Sequence, residues 1–343
     1  MSAELPQGLV RGRSWRITGL FVAFLVLLAV SALSIVLGAR AMPLSTVIDA
    51  FTDFDPTFDQ HLVVREIRVP RTIVGILVGL ALGLAGTLMQ GVTRNPLADP
   101  GILGVNAGAA FAVVTAIYLL GVNSLYGYVW FGFLGAAVAS VAVYALGALG
   151  RGGATPIKLA LAGSAVAGLL EALTSGILVI DLATLDQYRF WAVGSFSGRD
   201  STIAAQVAPF IVVGTLMALV TGRMLNTLAL GDDVATSLGQ RVGLLRGYSG
   251  LVAVILVGAG TAAAGPIAFV GLVVPHIARA IVGTDYRWIL AYSALLAPIL
   301  MLSCDVLGRV IARPGEVQVG LVVAFVGGPF FIALVRRRRL AEL

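Results

Sequence analysis

LALGDDVATSLGQRVGLLR, residues Leu228 to Arg246, is the one sizeable polar, sign-mixed segment in the second half of a sequence that otherwise reads as membrane. Leu230, Val234, Leu238, Val242 and Leu245 form a nearly unbroken every-fourth-residue row, one apolar stripe on a helix. Asp232 and Asp233 follow Gly231 where the helix would start, and Arg241 and Arg246 lie near its end, so both charge signs complement the helix dipole. Gly239 interrupts the run, which leaves one helix and two short helices joined at a glycine equally open. A helix lying on lipid headgroups would usually carry basic residues on its polar face. This one opens with an acidic pair, and the segment reads as a surface offered to a soluble partner.

The surrounding chain is membrane. Of 343 residues 59% are hydrophobic and 12% charged, with a mean hydropathy of +0.99, whereas a soluble domain carries about 25% charged residues. The net charge of +6 comes almost wholly from arginine, Lys158 being the one lysine. Positive-inside bias accounts for it without any nucleic-acid partner. A single cysteine, Cys304, lies in an apolar run, so no disulfide within the chain and no metal site is expected. The apolar run Ile17 to Leu37 is long enough to stay as a span, and no signal-peptide cleavage pattern accompanies it.

Charge-free intervals segment the chain. The first span is about Ile17 to Gly38, preceded by Arg11, Arg13 and Arg16, which puts the N-terminal tail 1–16 in the cytoplasm. Arg40 to Arg71 is an external segment whose acids outnumber its bases. A glycine-rich second span runs from Thr72 to Thr93, and the interval from Pro100 to Gly150 holds two more, with Arg151 and Lys158 marking the cytoplasmic side. The fifth covers about Ile157 to Ile180 and carries Glu171; Asp181 to Asp200 lies outside. The sixth, Thr202 to Gly222, returns to the opening segment. Glycines and Pro266 then break the run, suggesting a seventh span ending near Gly265 and a short eighth from Ala268 to Val282. The ninth is Trp288 to Leu307, with Arg309 to Glu316 outside. The last, Val317 to Val335, ends at Arg336 to Arg339, so the tail 336–343 is cytoplasmic. Ten spans make two five-span halves of opposite orientation, the plan of an inverted repeat, in one transmembrane domain over residues 1–343.

No catalytic constellation is present. His61 and His276 fall on opposite faces, and there is no His-Glu-x-x-His, no paired intramembrane aspartates and no Walker glycine-lysine loop. ATP hydrolysis, if used, belongs to another subunit.

Five short motifs occur in register: Arg68-Val69-Pro70-Arg71, Asn95 to Gly104, Leu230-Gly231-Asp232 with Ala235 and Leu238-Gly239, Phe269 to His276 with Arg279, and Gly327 to Phe331. From about Arg65 to Arg338 the chain thereby resembles the iron-siderophore and vitamin B12 family of ABC importer permeases. The resemblance implies an all-α permease of ten spans, like the vitamin B12 permease. It also implies pairing with a second copy or a close homologue, two ATPases below that bind the ATP and Mg, and an extracytoplasmic binding protein above; this chain itself holds no cofactor. The segment 226–246 would then couple to the ATPase through Leu230, Gly231, Asp232, Ala235, Leu238 and Gly239.

Arg68, Arg71 and Arg309 lie outside on this topology, where arginine is disfavoured. Family members use arginines at matching positions to meet acids on the binding protein, and pairing with Glu66, Asp305 or Glu316 within the chain is the alternative. Asn95, Pro96, Asp99, Pro100 and Gly101 read as a structural corner, as do Pro275 and His276. Glu171, flanked by Thr174 and Ser175, is the acid placed deep in a span. It is a pathway candidate, with hydrogen bonding to a neighbouring helix as the alternative. Relatives commonly have proline between the acid and glycine entering the last span, whereas Glu316 to Gly320 has none.

The expectation is a multi-pass permease subunit in a bacterial inner membrane, importing an iron chelate with a ferric siderophore as the first candidate and haem or cobalamin as rivals. An ion-coupled secondary transporter would need buried ionisable groups near the midplane, and Glu171 alone qualifies.

Overall fold

The computed structural model describes residues 9, 12–122, 124–149 and 155–339. Arg11 and Arg151, most of the tail 1–16 and the last four residues of the tail 336–343 lie outside the described residues.

In chain order the helices are α1 (Arg13–Val36), α2 (Leu44–Thr52), α3 (Asp59–Leu62), which runs through a π-helical turn Val63–Arg68 into α4 (Val69–Thr93), then α5 (Val105–Leu120), α6 (Leu125–Ala148), α7 (Pro156–Ile180) and α8 (Leu182–Ala192). The second half comprises α9 (Ser201–Val220), α10 (Gly222–Ala229), α11 (Asp232–Ser237), α12 (Val242–Ala264), α13 (Val270–Val282), α14 (Tyr286–Ile311) and α15 (Val319–Arg339). Among the described residues seven helices are long and apolar enough to cross a membrane, and the shorter α5, α13 and the apolar part of α15 fill the remaining expected spans.

Several span ends move because charge does not stop these helices. Helix continues unbroken from Asp59 to Thr93 rather than beginning at Thr72, and α14 runs on to Ile311, taking in Arg309. In both places the charged side chains find partners inside the protein.

Buried α4 forms the axis. It packs against α14, α12, α9 and α13, and its glycines allow the approach. A Cβ on Gly79 would lie 2.6 Å from the Pro298 Cα of α14, and one on Gly86 would collide with the Gly271 backbone of α13. The two halves echo each other. α4 and α12 cross at the centre, α14 packs on α4 as α6 packs on α12, and α13 lies on α4 as α5 lies on α12. The C-terminal end of α4 and the N-terminal end of α12 meet at the same side of the bundle, so the paired helices run in opposite directions, as an inverted repeat requires.

Helix faces also tell lipid from protein. α1 exposes Phe21, Val22, Phe24, Leu25, Val26 and Leu28, an unbroken apolar face suited to acyl chains. α7 packs on α5 and α6 with one side and exposes Ser164, Gly168, Glu171, Ser175 and Gly176 on the other. Glu171 is thus an ionisable group on an exposed face of a helix long and apolar enough to cross a membrane.

Candidate functional site

The polar segment forms an elbow between α9 and α12. It breaks twice: at Gly231, with φ +111, and at Gly239, with φ +83, both left-handed conformations that glycine adopts without strain. α11 starts at Asp232 directly after the first break. The stripe expected along one helix is therefore cut. Leu230, Val234 and Leu238 remain exposed, at 63%, 46% and 65%, while Leu245 turns inward beyond Gly239 and is buried. Ala235, on the opposite side of α11, is buried against the bundle.

Ion pairs and hydrogen bonds fix the elbow to three spans. The Asp232 carboxylate takes Arg246 Nη2 of α12 at 2.9 Å and Arg94 Nη2 at the end of α4 at 3.1 Å. From α10, Asn226 Nδ2 donates to Asp285 Oδ1 at 2.7 Å and Asn226 Oδ1 accepts the Tyr286 amide at 2.7 Å, tying the elbow to the start of α14. Gln240 Nε2 donates to the Met224 carbonyl at 3.0 Å, closing the second break back onto α10. Partial burial pushes the Asp285 carboxyl up, but hydrogen bonds from Arg287 and Asn226 outweigh it and hold its pKa at about 2. The outcome is an exposed apolar patch on a base tied to α4, α12 and α14.

At the opposite end, Arg68, Arg71 and Arg309 are all buried. Arg71 grips Asp305, with Nη2 to Oδ1 at 2.7 Å, and its Nη1 lies 2.8 Å from Glu316 Oε2. Arg309 Nη2 pairs with Asp305 Oδ2 at 2.9 Å, and its Nη1 donates to the Ser34 and Leu37 carbonyls, both at 2.9 Å. Arg68 donates to the carbonyls of Ile35, Val36 and Arg40. These carbonyls end or follow α1, where helical oxygens lack intrahelical partners and the dipole is negative. Three cations thus meet two carboxylates and one helix C-terminus. Their guanidiniums are engaged within the chain, for Arg71 and Arg309 in the internal pairing given above beside the rim contact. Burial pushes the Glu316 carboxyl up, and hydrogen bonding to Ser197 with the nearby Arg71 brings it below its ordinary range.

The first corner is built by its own side chains. Asn95 Oδ1 accepts from the Leu97 amide at 2.9 Å, and Asp99 Oδ1 accepts from the Gly101 amide at 2.7 Å, capping the 3-10 turn Pro100–Leu103 that follows Pro96. Burial pushes the Asp99 carboxyl up despite that bond. Pro275 and His276, expected at a corner, instead lie inside α13, and the turn is made by residues 265–269. Proline at 275 cannot donate to the carbonyl four residues back, which is Gly271. Gln90 of α4 supplies the missing donor, its Nε2 lying 3.2 Å from Gly271 O and 3.3 Å from Leu272 O, and Arg279 Nη2 donates to Gln90 Oε1 at 3.3 Å. His276 Nδ1 lies 3.2 Å from Arg279 Nη1.

Of the α7 residues, Thr174 faces inward with its hydroxyl on the Leu170 carbonyl at 2.7 Å, while Glu171 and Ser175 are exposed. Glu171 makes no hydrogen bond or ion pair among the described residues. Among the described residues no cluster of His, Cys, Asp and Glu could hold a metal ion.

A family model described as the FecCD transport family matches residues 25–337. The chain belongs to the FecCD transport family. This FecCD chain is 47% identical over 315 residues to the ferric enterobactin transport system permease protein FepD of Escherichia coli strain K12, covering 92% of this chain and 93% of that protein. It is 43% identical over 314 residues to a protein named "Probable siderophore transport system permease protein YfiZ" of Bacillus subtilis strain 168, covering 92% and 94%. Among solved structures it is similar to a metal-chelate type ABC transporter in an inward-facing conformation, with a TM-score of 0.82 and 28% identity over 94% of this chain and 99% of that one. FecCD proteins are transporter permease subunits rather than enzymes, and this one is a multi-pass protein of the inner membrane.

Proposed function

We propose that this FecCD chain is the membrane subunit of an ATP-driven importer for an iron chelate, with a ferric siderophore as cargo. The observation that carries the reading is the elbow, an exposed patch of Leu230, Val234 and Leu238 clasped by ion pairs and hydrogen bonds to α4, α12 and α14. A cytoplasmic ATPase gripping that patch moves three spans at once. Hydrolysis, with its ATP and Mg, takes place on two such ATPases, and both chain termini share their side of the membrane.

The exposed face of α7 fits a second copy or close homologue, with Glu171 and Ser175 toward a central pathway rather than lipid. An extracytoplasmic binding protein delivers the chelate to the opposite end. There Arg71 and Arg309 hold the platform together from inside, and contacts with the receptor come from exposed groups such as Arg40 and Arg313. The siderophore reading follows the substrates named for the relatives above.

Proteoliposomes holding the permease and its ATPases test this. Uptake of ferric enterobactin that requires ATP and binding protein is expected; uptake driven by an ion gradient through the permease alone contradicts it.

A further inference from the structure

A cavity of about 380 Å³ opens at the end away from the elbow, lined by Gln187 and Trp191 of α8, Ser195, Ser197 and Arg199 of the following turn, and Gln318 just before α15, together with Leu125, Phe190 and Gly198. That volume lies in the range of small-molecule sites.

Two of its residues keep donors unused among the described residues, the Arg199 amino groups and the Trp191 indole N–H. Arg199 is 5% exposed, and its Nε donates to the Ala263 carbonyl at 2.6 Å. Among the described residues no carboxylate pairs with it. The neighbouring acids are taken: Asp200 caps α9 through the Thr202 and Ile203 amides and accepts from the Tyr126 hydroxyl, and Glu316 serves Arg71 and Ser197. Burial accordingly pushes the Arg199 guanidinium down to about 10. Trp191 is 1% exposed and its Nε1 has no hydrogen-bond partner among the described residues. The amino end of α15, directly after Gln318, adds a positive potential. A buried cation without a counter-charge and a buried indole N–H without an acceptor are each costly. Arg71 and Arg309, buried at the same end, are neutralised by Asp305 and Glu316, whereas Arg199 has the Ala263 carbonyl near the end of α12 and no carboxylate among the described residues.

We propose that this cavity binds an oxyanion, a carboxylate or catecholate group of the iron chelate, between the Arg199 guanidinium and the Trp191 indole N–H. The guanidinium offers its amino groups as a planar fork, and a delocalised oxyanion matches it. The inference rests on the proposed function for the identity of the cargo, not for the existence of the anion site.

The test is isothermal titration of the assembled permease–ATPase complex in nanodiscs with two probes, citrate and ferric enterobactin. Wild type binds both saturably. Arg199→Gln weakens both at least about tenfold, Arg199→Lys less, and Trp191→Phe, which keeps a ring and deletes the N–H, about threefold or more. Melting temperatures identify variants that fail to fold, and Trp191→Phe decides the matter should Arg199→Gln be one of them. Undiminished binding by folded Arg199→Gln and Trp191→Phe proteins overturns the site. So does absence of citrate binding by wild type, and if ATP-driven uptake persists in that case the proposed function stands without it. Loss of citrate binding with unchanged enterobactin binding overturns the assignment to cargo.

Discussion

Asp232, the first residue of α11, is bonded to Arg246 across the break at Gly239, with Arg246 Nη2 2.9 Å from Asp232 Oδ2. A six-residue helix is too short to hold itself in water. Here it is held by its first residue, which also reaches Arg94 at the end of α4.

Replacing Asp232 by alanine therefore separates coupling from stability. Its side chain is 39% exposed, and exposed pairs contribute about 0–1 kcal/mol each, so the melting temperature should hardly change. Uptake per ATP hydrolysed should fall several-fold. Equal loss of folded protein and uptake would contradict this division.

Gln90→Leu strips the donor from Gly271 O and Leu272 O beneath Pro275. Unsatisfied buried carbonyls cost about 1–3 kcal/mol. Thermal unfolding in detergent should show that loss, and a Gln90→Leu, Pro275→Ala double variant should recover part of it, since residue 275 then donates to Gly271 O itself. Failure of the double variant to recover any stability would count against the repair role of Gln90.

Asp305→Asn leaves Arg71 and Arg309 buried with one carboxylate, Glu316, between them. Breaking a buried pair costs about 3–5 kcal/mol. Glu316→Gln should cost less, because that side chain is 25% exposed and water can replace it. Reduced thermal stability in that order is the expected result, measured by unfolding of the purified permease.

Asp285 gives a pH dependence whose sign is fixed. Its folded pKa is lowered from 3.8 to about 2, so its contribution is fully present above the unfolded value. It is lost as pH falls through that value toward about 2. The difference in unfolding midpoint between wild type and Asp285→Asn should shrink as pH drops from about 5 to about 2.

The spans were legible because charges cluster between apolar runs, and the elbow because its polarity interrupts them. What the sequence hid were partnerships across long separations. Arg71 and Asp305 are 234 positions apart; the sequence offered Asp305 as one of three internal partners beside a rim contact, and nothing local to either residue chose among them. Pro275 looked like a corner because the donor that repairs its helix lies on α4. Of the two arrangements left open at Gly239, the break is the one found, and its left-handed turn carries Leu245 from the stripe into the core. Arg199 drew no notice, since its burial without a counter-charge shows only once α8, α9 and α15 are brought together.

The central claim is that this permease is moved through the patch on its elbow. Leu230→Ser combined with Leu238→Ser changes two side chains that are 63% and 65% exposed, so insertion and folding should match wild type. The direct measurement is ATP-driven chelate uptake by proteoliposomes holding the double variant and its ATPases, beside the amount of ATPase that co-purifies with it. Uptake reduced at least about tenfold, with ATPase binding weakened, is predicted; wild-type uptake with wild-type ATPase retention would contradict the account.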